Sequence, residues 1–389
     1  MIIRDVNAVW LSCPIPYEQQ HVSDFGRLTS FDMTLVTITT DDGLTGYGEA
    51  KAAVGSAGGC ASLAAVVKHD LRPILIGQDA RRIVELWERM YNGTRDHYAL
   101  SRGRGFPILG RRGLTLSAMS GVDMALWDLL GKSLGVPVVQ LLGGACRDEM
   151  RAYASGGWAD SEQIGSQLAG YIERGGFDAV KMRVGVMDGT VDHSVARVRA
   201  ARDHLGPAID IMVDAHGTFS VPEAKRFCRE LEACNVRWFE EPTNSDNRRG
   251  TAEIRATTSI PISVGESEFT RFDFRDLIEV GAADILQPDL AICGGITEGV
   301  RIAHLASAYQ LELAPHCWGS AFSFMAGVTL AFASPAAIII EYSLGANPLL
   351  RELAEEKIPV VDGKLAAPTR PGLGVTPRAE FVREFAQDA

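Results

Sequence analysis

Ten charged or titratable side chains close apolar runs in the second half of the chain: Lys181 and Arg183, Asp214 and His216, Glu240 with Glu241, then Glu266, Asp289, His316 and Glu341. One acid at the end of an apolar run means little, because it can cap the helix that follows. The series is harder to explain that way. Asp214, Glu240 and Glu266 are 26 residues apart at each step, about the length of one strand-plus-helix unit. On neighbouring parallel strands they would meet at one mouth, where mutual repulsion raises their pKa values unless a cation sits between them. An all-oxygen set without Cys suits a hard ion, so Mg²⁺ is expected rather than zinc.

The elements that must position these groups are legible from periodicity. Eight apolar runs, RAYAS, AVKMRV, DIMVDAH, VRWFEEP, IPISVGE, ADILQPD, LELAPH and AIIIEYS, alternate from 151 to about 345 with helical stretches such as VPEAKRFCRELEACN. That alternation predicts a parallel sheet, and eight strands close a TIM-type barrel whose catalytic groups sit at the strand C-terminal ends. Residues 1–48 read as β-rich, with a DDG turn and a second short strand around Tyr47. From about 62 to 145 the pattern is helical. Met119, Val122, Ala125, Leu126 and Leu129 share a face of a helix that stops at Gly135, ahead of Pro137. SRGRGF and LGRRG, just before it, read as loop. The Pro- and Gly-rich tail from about 346 is expected to return to the N-terminal region.

Composition narrows the function classes. The chain has 389 residues, is 46% hydrophobic and 22% charged, and carries a net charge of −11. A nucleic-acid or anionic-membrane surface is not expected from that balance. The seven cysteines are scattered without a CxxC pair, which argues against a zinc knuckle or a disulfide framework. The opening MIIRDVNAVW lacks a basic start followed by an apolar run, and no apolar stretch reaches membrane-spanning length. The expectation is a reduced, cytoplasmic, soluble protein.

VKMRVG (180–185), VDAHG (213–217), FEEP (239–242), GES (265–267), QPD (287–289), APH (314–316) and MSGVDMALWDLLGKSLGVPVVQLLGG (119–144) together resemble the enolase superfamily, in its mandelate racemase-like branch. The resemblance runs in order over nearly the whole chain. It implies an α/β fold: a modified (β/α)₇β barrel at 126–345, under an α+β capping domain built from 1–125 and the returning segment 346–389. It also implies one Mg²⁺ per subunit on Asp214, Glu240 and Glu266, an Asp289–His316 dyad with the imidazole as base, and a homo-oligomer, dimer to octamer. The chemistry it implies is removal of the proton α to a substrate carboxylate. Mg²⁺ on that carboxylate and the cationic Lys181 would each stabilise the resulting enediolate by several kcal/mol.

One departure decides between reactions. The branch often has Lys-x-Lys on the second barrel strand, whereas this chain has Lys181-Met182-Arg183. Arginine stays protonated and makes an electrostatic clamp rather than a base, so the base falls to His316. A racemase needs interchangeable acid and base on opposite faces. One-sided proton removal with loss of a β-hydroxyl fits better: dehydration of an acid sugar, aldonate or aldarate, to a 2-keto-3-deoxy acid. His216 or the protonated His316 is the candidate general acid, and His216 resembles the arrangement in some sugar-acid dehydratases of the family. Bonding of His216 to a backbone carbonyl is its bland alternative. Glu341 is expected near the substrate carboxylate. Glu241 and Pro242 are expected to shape a turn, Glu268 to support the site or face solvent, and Trp318 to pack. Arg102, Arg104, Arg111 and Arg112 read mainly as a solvated loop face. Cap loops at about 14–32 and 50–60 would choose the substrate, and His21, Asp24, Arg27 and Thr29 suit a polyhydroxylated one. The competing readings are a cycloisomerase, a racemase or epimerase, and a non-catalytic regulatory homologue.

Overall fold

A computed structural model describes residues 1–24, 26–52, 60–103 and 112–387. An N-terminal antiparallel sheet is formed by β1 (Ile3–Pro14), β2 (Ser30–Thr40) and β3 (Thr45–Ala50), the last two joined by the expected tight turn at 41–43. Helices α1 (Ile83–Asn92) and α2 (Leu114–Leu134) follow. α2 ends on Gly135 in the left-handed conformation, the residue type that closes a helix without a Cβ penalty. It lies so close to the sheet that a Cβ on Gly48 would stand 2.1 Å from the Gly121 carbonyl oxygen. Glycine is required there by contact rather than by φ.

The second layer is a parallel barrel. Its strands are β4 (Glu149–Gly156), β5 (Ala179–Arg183), β6 (Asp210–Asp214), β7 (Val236–Glu240), β8 (Ile262–Val264), β9 (Ile285–Leu286), β10 (Glu312–Leu313) and β11 (Ile340–Ser343). They pair in sequence order and β11 returns to β4. Closure on the other side is a bridge between Leu313 and Ala337. Seven helices separate the eight strands: α3 (Ile164–Gly175), α4 (Val191–Leu205), α5 (Val221–Leu231), α6 (Arg248–Arg255), α7 (Thr270–Glu279), α8 (Gly295–Ala308) and α9 (Ala321–Ala333). The architecture is the expected (β/α)₇β. α5 begins where its sequence says it should, at a capping box of Ser220 and Glu223.

The C-terminal tail adds a strand at Lys364–Ala366 beside β4, then pairs Ala386–Gln387 with Trp10 and Leu11 of β1. One expectation fails at the start of SRGRGF: Ser101 and Arg102 close a helix over Asp96–Arg102 rather than a loop, because the helical run from 96 carries through them. Arg104 and Arg111 lie outside the described residues, as does most of the 50–60 loop. Among the described residues no helix is long and apolar enough to cross a membrane.

Two buried acids of the cap dock it on the barrel at helix N-termini, where exposed N–H groups favour an anion. Asp123 of α2 accepts from Thr297 N at 2.9 Å and Thr297 Oγ1 at 2.6 Å. Glu49 of β3 accepts from Ser320 N, Ser320 Oγ and Ser323 N at the start of α9. Burial nevertheless pushes Asp123 up to about 7.

Candidate active site

Strand pleating sends alternate residues to opposite faces. Inside the barrel this stacks Tyr153, Ala179, Met212, Trp238, Ile285, Ala314 and Ile339 into a floor, while Val180, Met182, Ile211 and Val213 join the core outside. Two residues further along each strand the same inward face reaches the mouth, which places Lys181, Asp214, Glu240 and Glu341 above that floor. All nine side chains singled out for metal binding or catalysis converge there.

Asp214, Glu240 and Glu266 are buried, and their carboxylates present oxygens that all lie within 4.8 Å of one another. Lys181 Nζ donates to Glu240 Oε1 at 2.5 Å, and stands 3.0 Å from Glu341 Oε1 and 3.7 Å from Asp214 Oδ2. Trp238 Nε1 and Gln287 Nε2 donate to the other oxygen of Glu240. Burial, with Asp214 and Glu266 beside it, pushes Glu240 above the ordinary carboxylate range against the pull of Lys181. Glu341 also resists burial: Lys181 and His316 hold it down to about 2, and it accepts from Cys317 N at 2.9 Å. Arg183 Nη1 lies 3.1 Å from Asp214 Oδ1, an ion pair without a hydrogen bond, so the clamp faces the acid cluster itself.

The crowded carboxylates are a cradle short of positive charge, and their hard oxygen atoms fit a divalent hard cation. In a second group, one ligand atom each of His216, Glu241 and Glu266 also lies within 4.8 Å of the others. Glu241 is therefore more than a turn residue. Its φ of 38° lies in the left-handed region, and burial followed by the Glu266 charge raises it well above the usual range. The strained backbone turns its carboxyl back toward the cluster.

His316 Nδ1 bonds Asp289 Oδ2 at 2.7 Å, which directs Nε2 toward the mouth, 3.5 Å from Glu266 Oε2 and 3.9 Å from Glu341 Oε2. Burial lowers the basicity of the ring, but Glu266, Glu341 and Asp289 overcome it and its pKa is raised. Asp289 is held ionised against its own burial, by Lys51 before His316. Lys51 was not singled out from the sequence. It follows β3 of the cap, is fully buried, and donates to Asp289 Oδ2 at 2.5 Å.

His216 faces the other oxygen of Glu266, with Nε2 3.4 Å from Oε1. Its φ is 49°, fixed by its N–H donating to Asp214 Oδ1 at 2.9 Å. The expected backbone-carbonyl alternative is not what anchors the ring. Nδ1 bonds the carboxylate of Asp24, from the cap loop, at 2.6 Å. Although burial opposes its charge, Asp24 and Glu266 raise His216 to about 10.

The same loop lays His21 flat on Trp158, ring centres 3.9 Å apart, and Trp158 meets Trp318 edge-on at 5.7 Å. Trp318 thus walls the cavity together with Trp158, Lys181, Arg183, His216 and Glu341, beyond the packing role expected for it. Burial and then Arg183 depress His21 to about 4. Arg27 and Thr29 do not join them: Arg27 lies over Tyr17 and Thr29 is exposed. Glu268 is paired with Arg248 at 2.5 Å, away from the acid cluster, and Arg112 with Asp273 at 2.7 Å. Arg102 is exposed.

Comparison with known proteins agrees with this geometry. Residues 13–143 match the mandelate racemase / muconate lactonizing enzyme N-terminal domain, and residues 163–381 the enolase C-terminal domain-like model. The D-galactonate dehydratase of Ralstonia pickettii (strain 12J) is 37% identical over 381 residues, 93% of this chain and 94% of that protein. Among solved structures, the 3,6-anhydro-D-galactonate cycloisomerase of Zobellia galactanivorans superposes with a TM-score of 0.85 at 30% identity, covering all of both chains. A racemase from Streptomyces coelicolor A3(2) with bound magnesium has a TM-score of 0.85 at 32% identity, covering 99% of this chain and 100% of the other.

Proposed function

The chain belongs to the mandelate racemase / muconate lactonizing enzyme family of the enolase superfamily, and from that premise we propose that it dehydrates an acid sugar of the aldonate type. The observation that carries this reading is the pair of unlike histidines set against the two oxygens of Glu266. One is aligned by Asp289 as a base, the other by Asp24 as a charged acid.

Asp214, Glu240 and Glu266 hold one Mg²⁺ in this proposal. When bound, it supplies positive charge opposite the substrate carboxylate, making the neighbouring C–H bond more acidic. His316 Nε2 accepts the proton from C2, and Asp289 stabilises the imidazolium that results. Lys181, fixed by Glu240 and Glu341, faces the charge that develops on the carboxylate side. His216 donates a proton to the departing C3 hydroxyl. The C2–H and C3–O bonds break, water leaves, and the enol ketonises to a 2-keto-3-deoxy acid.

Arg183 supports the one-sided course. A guanidinium ion-paired with Asp214 supplies no second base where a racemase needs one. The aldonate class is supported by the named dehydratase relatives, which act on D-galactonate.

The test is a panel of aldonic and aldaric acids incubated with Mg²⁺, with 2-keto products trapped by semicarbazide. An aldonate yielding keto acid is the expected result. α-Proton exchange with D₂O and no keto acid from any member would replace dehydration with isomerisation.

A further inference from the structure

The cap also reaches the barrel through Glu49 of β3 and Lys51, the residue that follows the strand's end. Glu49 ends on the N-terminus of α9. Lys51 goes further in. Its ammonium donates to Asp289 Oδ2 at 2.5 Å and to the Trp318 carbonyl at 2.6 Å. These are the carboxylate that aligns His316 and the backbone two residues past that ring. Asp289 Oδ1 is meanwhile occupied by Ala291 N at 2.8 Å. Oδ2 therefore receives Lys51 and His316 Nδ1 together, and the three polar groups are buried to 5% exposure or less.

We infer that Lys51 is a positioning residue: it fixes the Asp289 carboxylate and the His316 loop, so that docking of the cap also sets the orientation of the base. The inference rests on the reading of His316 as that base. Docking alone does not call for this contact. Glu49, Asp123 and the bond from Trp87 Nε1 to the Gly294 carbonyl already join cap and barrel without touching the dyad. A buried ammonium is costly unless paired, and this one is paired with the single carboxylate oxygen that also holds the imidazole. Without it, Asp289 keeps one fixed oxygen and can turn about the other, and the ring turns with it.

The experiment compares Lys51→Met with Glu49→Gln in the full-length enzyme. Lys51→Met is expected to lower kcat for α-proton exchange about ten- to a hundredfold, the usual effect of losing an outer partner of a site group, with KM nearly unchanged. Glu49→Gln is expected to lower the melting temperature while leaving kcat near wild type. The second readout needs neither metal nor turnover. In the metal-free protein, the hydrogen-bonded ring N–H resonance that disappears in His316→Asn should shift or broaden in Lys51→Met and stay put in Glu49→Gln. Should Lys51→Met fail to fold, Lys51→Gln, which keeps an N–H donor, decides by the same two readings. Wild-type kcat with an unmoved resonance, or an equal loss of kcat in Glu49→Gln, overturns the inference. If the wild-type enzyme exchanges no α-proton of any acid tried, the dehydratase reading fails, and the resonance alone decides the role of Lys51.

Discussion

Asp24 Oδ2 lies 2.6 Å from His216 Nδ1, although 192 residues separate them in the chain. In the proposed reaction the acid side is therefore assembled from the turn after a barrel strand and a cap loop, and the loop must be in place for the ring to be aligned. Asp24→Asn removes the charge and one acceptor but keeps the shape. Keto-acid formation should fall about ten- to a hundredfold, as for loss of a general acid's support, while α-proton exchange stays within a fewfold of wild type. The two rates are read in one D₂O experiment, by NMR for exchange and by semicarbazide for product. Equal loss of both would mean that the loop serves closure rather than proton delivery.

The two histidines should separate the two halves of the reaction. His316→Asn should abolish exchange and product together, a loss of at least about a hundredfold, because His316 is the base in the proposed reaction. His216→Asn should abolish product while exchange continues, since the α-proton can leave and return without departure of the hydroxyl. Exchange at wild-type rate without His316 would move the base elsewhere.

What could be read in advance follows the period of the barrel. Asp214, Glu240 and Glu266 were visible because a parallel βα repeat brings equivalent strand ends to one mouth whatever the intervening helices do. The Asp289–His316 dyad is expected from the family resemblance carried by QPD and APH, and the same strand ends bring the two side chains within 2.7 Å. Lys51 is not legible in this way, because it follows an antiparallel strand of a different layer, and nothing local in TGYGEAK marks it as buried beside a residue 238 positions away. Asp24 was noticed as a polar loop residue, yet its partner depends on how the cap sits on the barrel, which no periodicity encodes. Glu241 reads from the sequence, with Pro242, as shaping a turn. The left-handed backbone that returns its side chain to the acid cluster is a tertiary consequence.

The metal-free protein should depend on pH through His216 in a defined direction. Its pKa is raised from 6.5 to about 10, so the folded state holds the proton more tightly than the unfolded chain. The stabilisation is fully present below 6.5 and is lost as pH rises through about 10. Urea unfolding of wild type and His216→Asn should show the wild-type advantage at its largest on the acid side of that window and vanishing at its alkaline end. An advantage that grows with pH would contradict the Asp24–His216–Glu266 arrangement as the source of the shift.

Removal of metal should be visible without any substrate. Glu240 is pushed up in the metal-free cluster by burial and by Asp214 and Glu266, whereas a carboxylate must be ionised to ligate. Binding of Mg²⁺ near neutral pH should then release protons, and fewer as the pH is raised. Calorimetric titrations in buffers of different ionisation enthalpy measure that number directly. The cation should also stabilise the fold by mass action, by about 2.7 kcal/mol at a hundred times its Kd, reversed by EDTA. Asp214→Asn should lose the rise in melting temperature and the proton release together, because it removes the charge of one of three carboxylate donors and leaves Arg183 without this ion-pair partner. If Asp214→Asn still bound Mg²⁺ with wild-type affinity, the cation would belong instead to the neighbouring group of His216, Glu241 and Glu266, and Glu241→Gln would be the variant that abolishes both signals.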